Sequence, residues 1–265
     1  MLSGLKQLIA RFSLRKLRYP VCLLLLTAVI STAIASYPNV SLNSAVLLNR
    51  SSLDSLAAGS VINPAKVKGG SASCFYTQKI NSSVKKRILG ISFKEDGKTA
   101  LSDLRYLRVL YYGFDKKSHI GELIVNKKIS DDILSIFKEL YKAKYSIEKM
   151  VLVDDYDADD KASMEDNNTS AFNYRTVAGS TNLSKHALGL AIDINPLYNP
   201  CVEKIKGKTV VSPAGGEKYA DRSLKNSHYI KKGDICYEAF IKRGFIWGGS
   251  WTSLKDYQHF QKTIK

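Results

Sequence analysis

Two short stretches far apart in the chain constrain it most: Ser184-Lys-His186-Ala-Leu-Gly189-Leu-Ala191-Ile-Asp193, and Asp256-Tyr257-Gln258-His259 near the C-terminus. Two imidazoles and one carboxylate supply three ligands for a tetrahedral metal and leave the fourth position for water, the arrangement of a catalytic rather than a structural zinc site. Asp256 is then a spare carboxylate that can handle a proton. Any fold this chain adopts has to bring His186, Asp193 and His259 to one point.

The flanking residues suggest how. Leu190, Ile192 and Ile194 alternate with Ala191, Asp193 and Asn195, so the spacing predicts a turn feeding a buried strand. Gly189 is expected to let the chain bend and approach the metal closely. Taken singly, a histidine beside a strand or an aspartate at its end is an ordinary hydrogen-bonded residue; the combination is what points to a metal. Upstream of Asp256 lies Gly244-Phe245-Ile-Trp247-Gly248-Gly249-Ser-Trp251. Trp247 and Trp251 read either as an aromatic corner closing the core or as the wall of a substrate groove.

Read together, the patterns S-x-H-x-x-G-x-A-x-D and G-F-x-W-G-G-x-W followed by D-x-x-H-F resemble the zinc peptidases grouped as D-alanyl-D-alanine carboxypeptidases and L-alanyl-D-glutamate endopeptidases, which cut peptidoglycan stem peptides. The segment from Asn167 to Arg175 is also similar to that family's pattern. The resemblance implies an α+β fold, a small antiparallel sheet flanked by helices as in hedgehog and DD-peptidase domains. It implies one Zn2+ held by His186, Asp193 and His259, with Asp256 as general base. It further implies that Arg175 binds substrate and stabilises negative charge, and that Ser184 is a hydroxyl near the metal. An Asp at the base position is more similar to the endopeptidase branch than to the branches carrying Glu. Two other readings compete: a zinc-containing wall-binding or signalling protein of the same fold without turnover, and a basic structural protein adhering to the wall.

The 265 residues, 45% of them apolar, are enough for a sizeable core. Lys6, Arg11, Arg15, Lys16 and Arg18 precede an acid-free apolar run from Val21 to Ala35, the layout of a secretory signal or a retained membrane anchor. Residues 1–35 are therefore expected to direct export to the periplasm or cell envelope. Their five basic residues and lack of acids mean that the charge of +16 falls to +11 without them. A basic remainder suits an anionic partner, but its lysines and arginines are dispersed and match no nucleic-acid module.

The segment 36–73, rich in Ser, Asn, Ala and Gly, reads as a linker or loosely packed arm, leaving 74–265 as the peptidase domain. There, strands are expected around Leu104–Tyr111, Glu122–Val125 and Met150–Val153. A helix is expected to start at Ser130 with Ile133, Phe137, Leu140 and Tyr141 on its apolar stripe, and another to run from an Asp234 cap to Gly244. Pro200–Gly233 reads as a long surface loop. Asp154, Asp155, Asp157, Asp159 and Asp160 read as a solvated acidic loop, since neither the glycine nor the glutamate of a calcium loop is in place. A Cys201–Cys236 bridge is open on sequence alone.

Overall fold

The computed structural model describes residues 47–177 and 179–264. The proposed signal or anchor, residues 1–35, lies outside them. No helix among the described residues is long and apolar enough to cross a membrane. Helices and small antiparallel sheets are mixed, as the α+β expectation requires.

The first sheet is antiparallel, ordered β1 (Tyr76–Lys79), β2 (Leu104–Tyr112), β3 (Ser118–Asn126). Its long central pair runs from Leu104 opposite Asn126 to Tyr112 opposite Ser118. Helix α3 (Ser130–Lys142) covers one face, burying Ile133, Ile136, Phe137 and Leu140, the residues that recur at helical spacing. Its cap differs from the expectation. Ile129 occupies the cap position, and Ser130 Oγ instead donates to the Lys127 carbonyl at 3.0 Å. Asp131 and Asp132 still complement the first turn.

Two further sheets carry the C-terminal half: β4 (Ala191–Asp193), β9 (His259–Gln261) and β7 (Ile246–Trp247) in the order β4-β9-β7, and β5 (Cys201–Ile205), β6 (Lys208–Ser212) and β8 (Leu254–Asp256) in the order β6-β5-β8. Helix α5 (Ile235–Ile241) begins where the Asp234 carboxylate accepts the Tyr237 N–H at 2.7 Å. It presses Phe240 onto Phe260 of β9, the rings stacked at 4.1 Å. One hydrophobic core joins α3, β2, β3, β4, β9 and α5.

Three sequence expectations need correction. Residues 47–73 are no free arm: Leu53, Ile62 and Val67 are buried in that core, Leu48 pairs with Val67, and helix α1 (Arg50–Ser55) gives the Leu53 carbonyl to buried Arg108 at 3.2 Å. Met150–Val153 is not a strand, because Asn168 takes over its hydrogen bonding, accepting from Val151 N–H and donating to Val151 C=O. Pro200–Gly233 is not all loop. β5 and β6 form a hairpin across Lys206-Gly207, both at positive φ of 50° and 78°, as a two-residue turn matched to strand twist requires. Cys74, Cys201 and Cys236 are all free thiols.

Beneath the first sheet sits a buried ionic network. Arg87 donates to both oxygens of Glu122 at 2.8 and 2.7 Å, Tyr106 donates to Glu122 at 2.6 Å, and Arg108 approaches at 3.9 Å. Burial alone would raise the Glu122 carboxyl, but the Arg87 and Tyr106 hydrogen bonds and the two guanidinium charges overcome it and hold the group below its usual range. A depressed folded-state value means stability that is present above about pH 4.5 and lost as pH falls through the folded value. Glu122→Gln is therefore expected to destabilise by about 3 kcal/mol at neutral pH, leaving the buried Arg108 guanidinium without an anion and Arg87 with only the exposed Asp155. Urea unfolding at pH 7 and pH 3 checks it, with the gap between the two proteins shrinking at the lower pH.

Candidate metal centre

Strand pairing brings two of the three expected ligands together. In the β4–β9 register Asp193 lies directly opposite His259, and cross-strand neighbours on one face lie side by side. Asp193 is fixed from its other side too, exchanging backbone hydrogen bonds with Ser170 at 3.1 and 2.9 Å. His186 arrives from the 3-10 turn His186–Leu188, which ends at Gly189 with φ of 65°. The close approach that Gly189 permits is to the sheet rather than to the metal site. A Cβ there would meet the Asn126 nitrogen at 2.6 Å and the Val125 carbonyl carbon at 3.1 Å, and the Gly189 carbonyl accepts the Asn126 N–H at 2.8 Å.

The three side chains are buried and converge. His186 Nε2 is 3.1 Å from Asp193 Oδ2 and 3.2 Å from His259 Nδ1, and His259 Nδ1 is 2.9 Å from Asp193 Oδ1. One donor atom from each residue falls within 4.8 Å of the others, and no other such group of His, Cys, Asp or Glu occurs among the described residues. The outward nitrogens are already engaged: His186 Nδ1 contacts the Ala171 carbonyl at 2.5 Å, and His259 Nε2 contacts Gln261 Oε1 at 3.1 Å. A carbonyl oxygen only accepts, so each outward nitrogen carries a proton and the inward nitrogens are the ones a metal would engage, displacing the proton that His259 otherwise shares with Asp193. Two imidazole nitrogens and a carboxylate with tautomers set this way fit zinc.

The electrostatics match a cation site. Burial alone would raise Asp193, but the His186 and His259 rings override it and hold the carboxyl far below its usual range. Burial alone would lower His259, yet its hydrogen bond and proximity to Asp193 push it up to about 9. Without a metal, the protein answers the buried carboxylate with a proton; a metal ion at this point would supply that positive charge instead.

Asp256 stands at the end of β8, opposite Cys201 of β5. The residue is half-buried, but its Oδ1 is sealed from solvent and has no hydrogen-bond partner. Burial pushes the carboxyl up to about 6, with the Asp193 charge adding to the rise and the His259 and His186 rings opposing it. Among the described residues, this is the fourth ionisable group tied to the cluster that the two motifs anticipated.

The remaining expected residues divide. Trp251 is half-exposed with its ring 5.4 Å from that of His259, so it borders the site. Trp247 does not form a groove wall: it is buried, its Nε1–H donates to the Tyr257 carbonyl at 2.8 Å, and its ring packs on Phe260. Ser184 turns its Oγ to the His186 N–H at 3.2 Å, holding the ligand's main chain rather than offering a hydroxyl to substrate. Arg175 contacts none of the three ligands. Its Nη2 pairs with Asp160 at 2.9 Å, while its backbone carbonyl accepts the Ser184 N–H at 3.1 Å.

Residues 178–262 match the family model described as D-alanyl-D-alanine carboxypeptidase. That segment contains both motifs, and the match supports the family read from them and a peptidase activity. Comparisons with curated proteins and with solved structures gave no match.

Sequence reasoning missed Gln261, Ala171 and the role of Gly248. Gln261 lies two residues beyond His259 on the same strand, a period-2 relation visible in the sequence. Gly248 lets the chain pass close to the site, for a Cβ there would meet the Asp256 carbonyl at 2.6 Å, Asp256 Cβ at 2.9 Å and His259 Cβ at 3.3 Å. Gly248→Ala is therefore expected to displace both residues and weaken Zn2+ binding by roughly tenfold to a hundredfold. Competition against a chromophoric chelator checks it, with wild-type affinity as the refuting result.

Proposed function

We propose that the chain is an exported zinc peptidase that hydrolyses peptide bonds in peptidoglycan stem peptides, with His186, Asp193 and His259 as ligands and Asp256 as general base. The observation that carries this reading is the second, shielded carboxylate beside the His-Asp-His cluster. A protein that only binds metal has no use for Asp256, with its raised pKa and its unpaired Oδ1. The family match supports the peptidase class. Zinc, when bound in such a site, acidifies water and polarises a carbonyl.

The protein's own residues account for the rest. Ala171 and Gln261 hold the two imidazoles in the ligating tautomer. Ionised Asp256 accepts a proton from the attacking water as the new C–O bond forms, then returns it to the departing amine as the C–N bond breaks. Arg175 offers positive charge for a substrate carboxylate or the developing oxyanion. Trp251 borders the metal site through its ring contact with His259. The basic remainder of the chain favours an anionic polymer as substrate. The bond cut is L-Ala–D-Glu or D-Ala–D-Ala. Asp rather than Glu at position 256 favours the first, and the match to the D-alanyl-D-alanine carboxypeptidase family favours the second.

The test is to incubate the purified protein with peptidoglycan fragments and read the products by mass spectrometry. One equivalent of zinc, loss of cleavage with a chelator and its return on adding Zn2+ are expected. Asp256→Ala is expected to lower turnover by roughly a hundredfold or more while keeping the metal. Release of D-Ala would assign the carboxypeptidase activity, and separation of L-Ala from D-Glu the endopeptidase. Intact fragments with stoichiometric zinc bound would instead mean a binding or signalling protein.

A further inference from the structure

The acidic run from Asp154 to Asp160 is solvated at Asp155, Asp157 and Asp159, but several of its side chains are also tied to the fold. Asp154 accepts from the Ser92 N–H and Oγ at 3.1 and 2.9 Å, Asp155 pairs with Arg87 at 3.1 Å, and Asp159 caps α4 (Asp160–Glu165). Asp160, by contrast, reaches across to Arg175 at 2.9 Å. Between these anchors, Asp157 and Ala158 hold left-handed conformations at φ of 54° and 60°, which non-glycine residues keep only where their surroundings impose them.

The same loop brackets the chain beside a metal ligand. Asn173 Nδ2 donates to the Ala158 carbonyl at 3.2 Å, while the Asn173 N–H donates to the His186 carbonyl at 3.3 Å. Residues 173–175 thus lie between the acidic loop on one side and the Ser184–His186 turn on the other. Arg175 projects from this segment with Nη2 on Asp160, Nη1 on the Thr176 carbonyl at 3.4 Å, and a buried Nε that has no acceptor in the protein. A free arginine samples many rotamers, and a carboxylate on one edge of the fork selects among them. The pair is also about 30% exposed on the Arg175 side and 27% on the Asp160 side. A pair this open to solvent adds little to folding stability.

We infer that Asp160 is a positioning residue for Arg175, holding its guanidinium ready for the negative charge of the substrate. This rests on the peptidase reading and on Arg175's part in it. The acidic loop, on this inference, belongs to the active site although its sequence carries no ligand motif.

The experiment compares kcat and KM for stem-peptide hydrolysis by the full chain and by Asp160→Asn, Asp160→Glu, Arg175→Ala and the Asp160→Asn/Arg175→Ala double variant. Asp160→Asn is expected to lower kcat/KM by roughly tenfold to a hundredfold. Its zinc content should be unchanged and its melting temperature should stay within about 2 °C of the wild type. Asp160→Glu should recover part of the loss, and in the Arg175→Ala background Asp160→Asn should cost nothing more. An Arg175→Ala loss with Asp160→Asn at wild-type kcat/KM, or losses that multiply fully in the double variant, would overturn this inference alone. Wild-type kcat/KM in Arg175→Ala, or no hydrolysis by the full chain, would overturn it together with the reading it rests on.

Discussion

The pairing of β4 with β9 is the constraint on which the site depends. It spans only three residues a side, yet it places Asp193 against His259 and buries both. A one-residue slip would turn every side chain of the strand to the opposite face. The register is held by more than the ladder: Ile192 and Phe260 lie opposite each other in the core, Phe240 of α5 stacks on Phe260, and Ser170 brackets Asp193 from the other side. Short strands give weak sheets, so the hydrophobic packing of Phe260 and Ile192 does the aligning that hydrogen bonds alone would not.

The first sheet contributes differently. It carries no ligand, but the end of β3 receives the His186 turn through Asn126, whose backbone and side chain bond to Gly189 and Leu188. The C-terminal half therefore takes its position from a platform stiffened by the Glu122 network and by α3. Residues 47–73 close that platform from below through Leu53 and Arg108.

The longer elements were legible because their apolar residues recur at a period. Leu104, Leu107, Val109 and Tyr111 marked β2, Ile133, Phe137 and Leu140 marked α3, and Asp234 with Gly244 framed α5. Leu53, Ile62 and Val67 recur at neither a helical nor a strand period, and their burial depends on partners remote in sequence. At 150–153 an amide side chain from residue 168 replaced the neighbour a strand needs. The ligands were legible as a pattern of residue types, and they do converge. What surrounds them was harder to read: Trp247 and Trp251 look alike in sequence, and only the Tyr257 carbonyl and the Phe260 ring separate the core residue from the one at the rim.

The two histidines are held by acceptors of different kinds. His186 leans on the main-chain carbonyl of Ala171, a group that every residue type possesses, whereas His259 leans on the side chain of Gln261. Substitution can leave the first contact intact while abolishing or recharging the second. The candidate centre thus has one histidine whose basicity is inherited from the fold and one whose basicity is written in a single codon. Position 261 is where variation in this chain can retune the proposed metal site without disturbing the architecture that holds it.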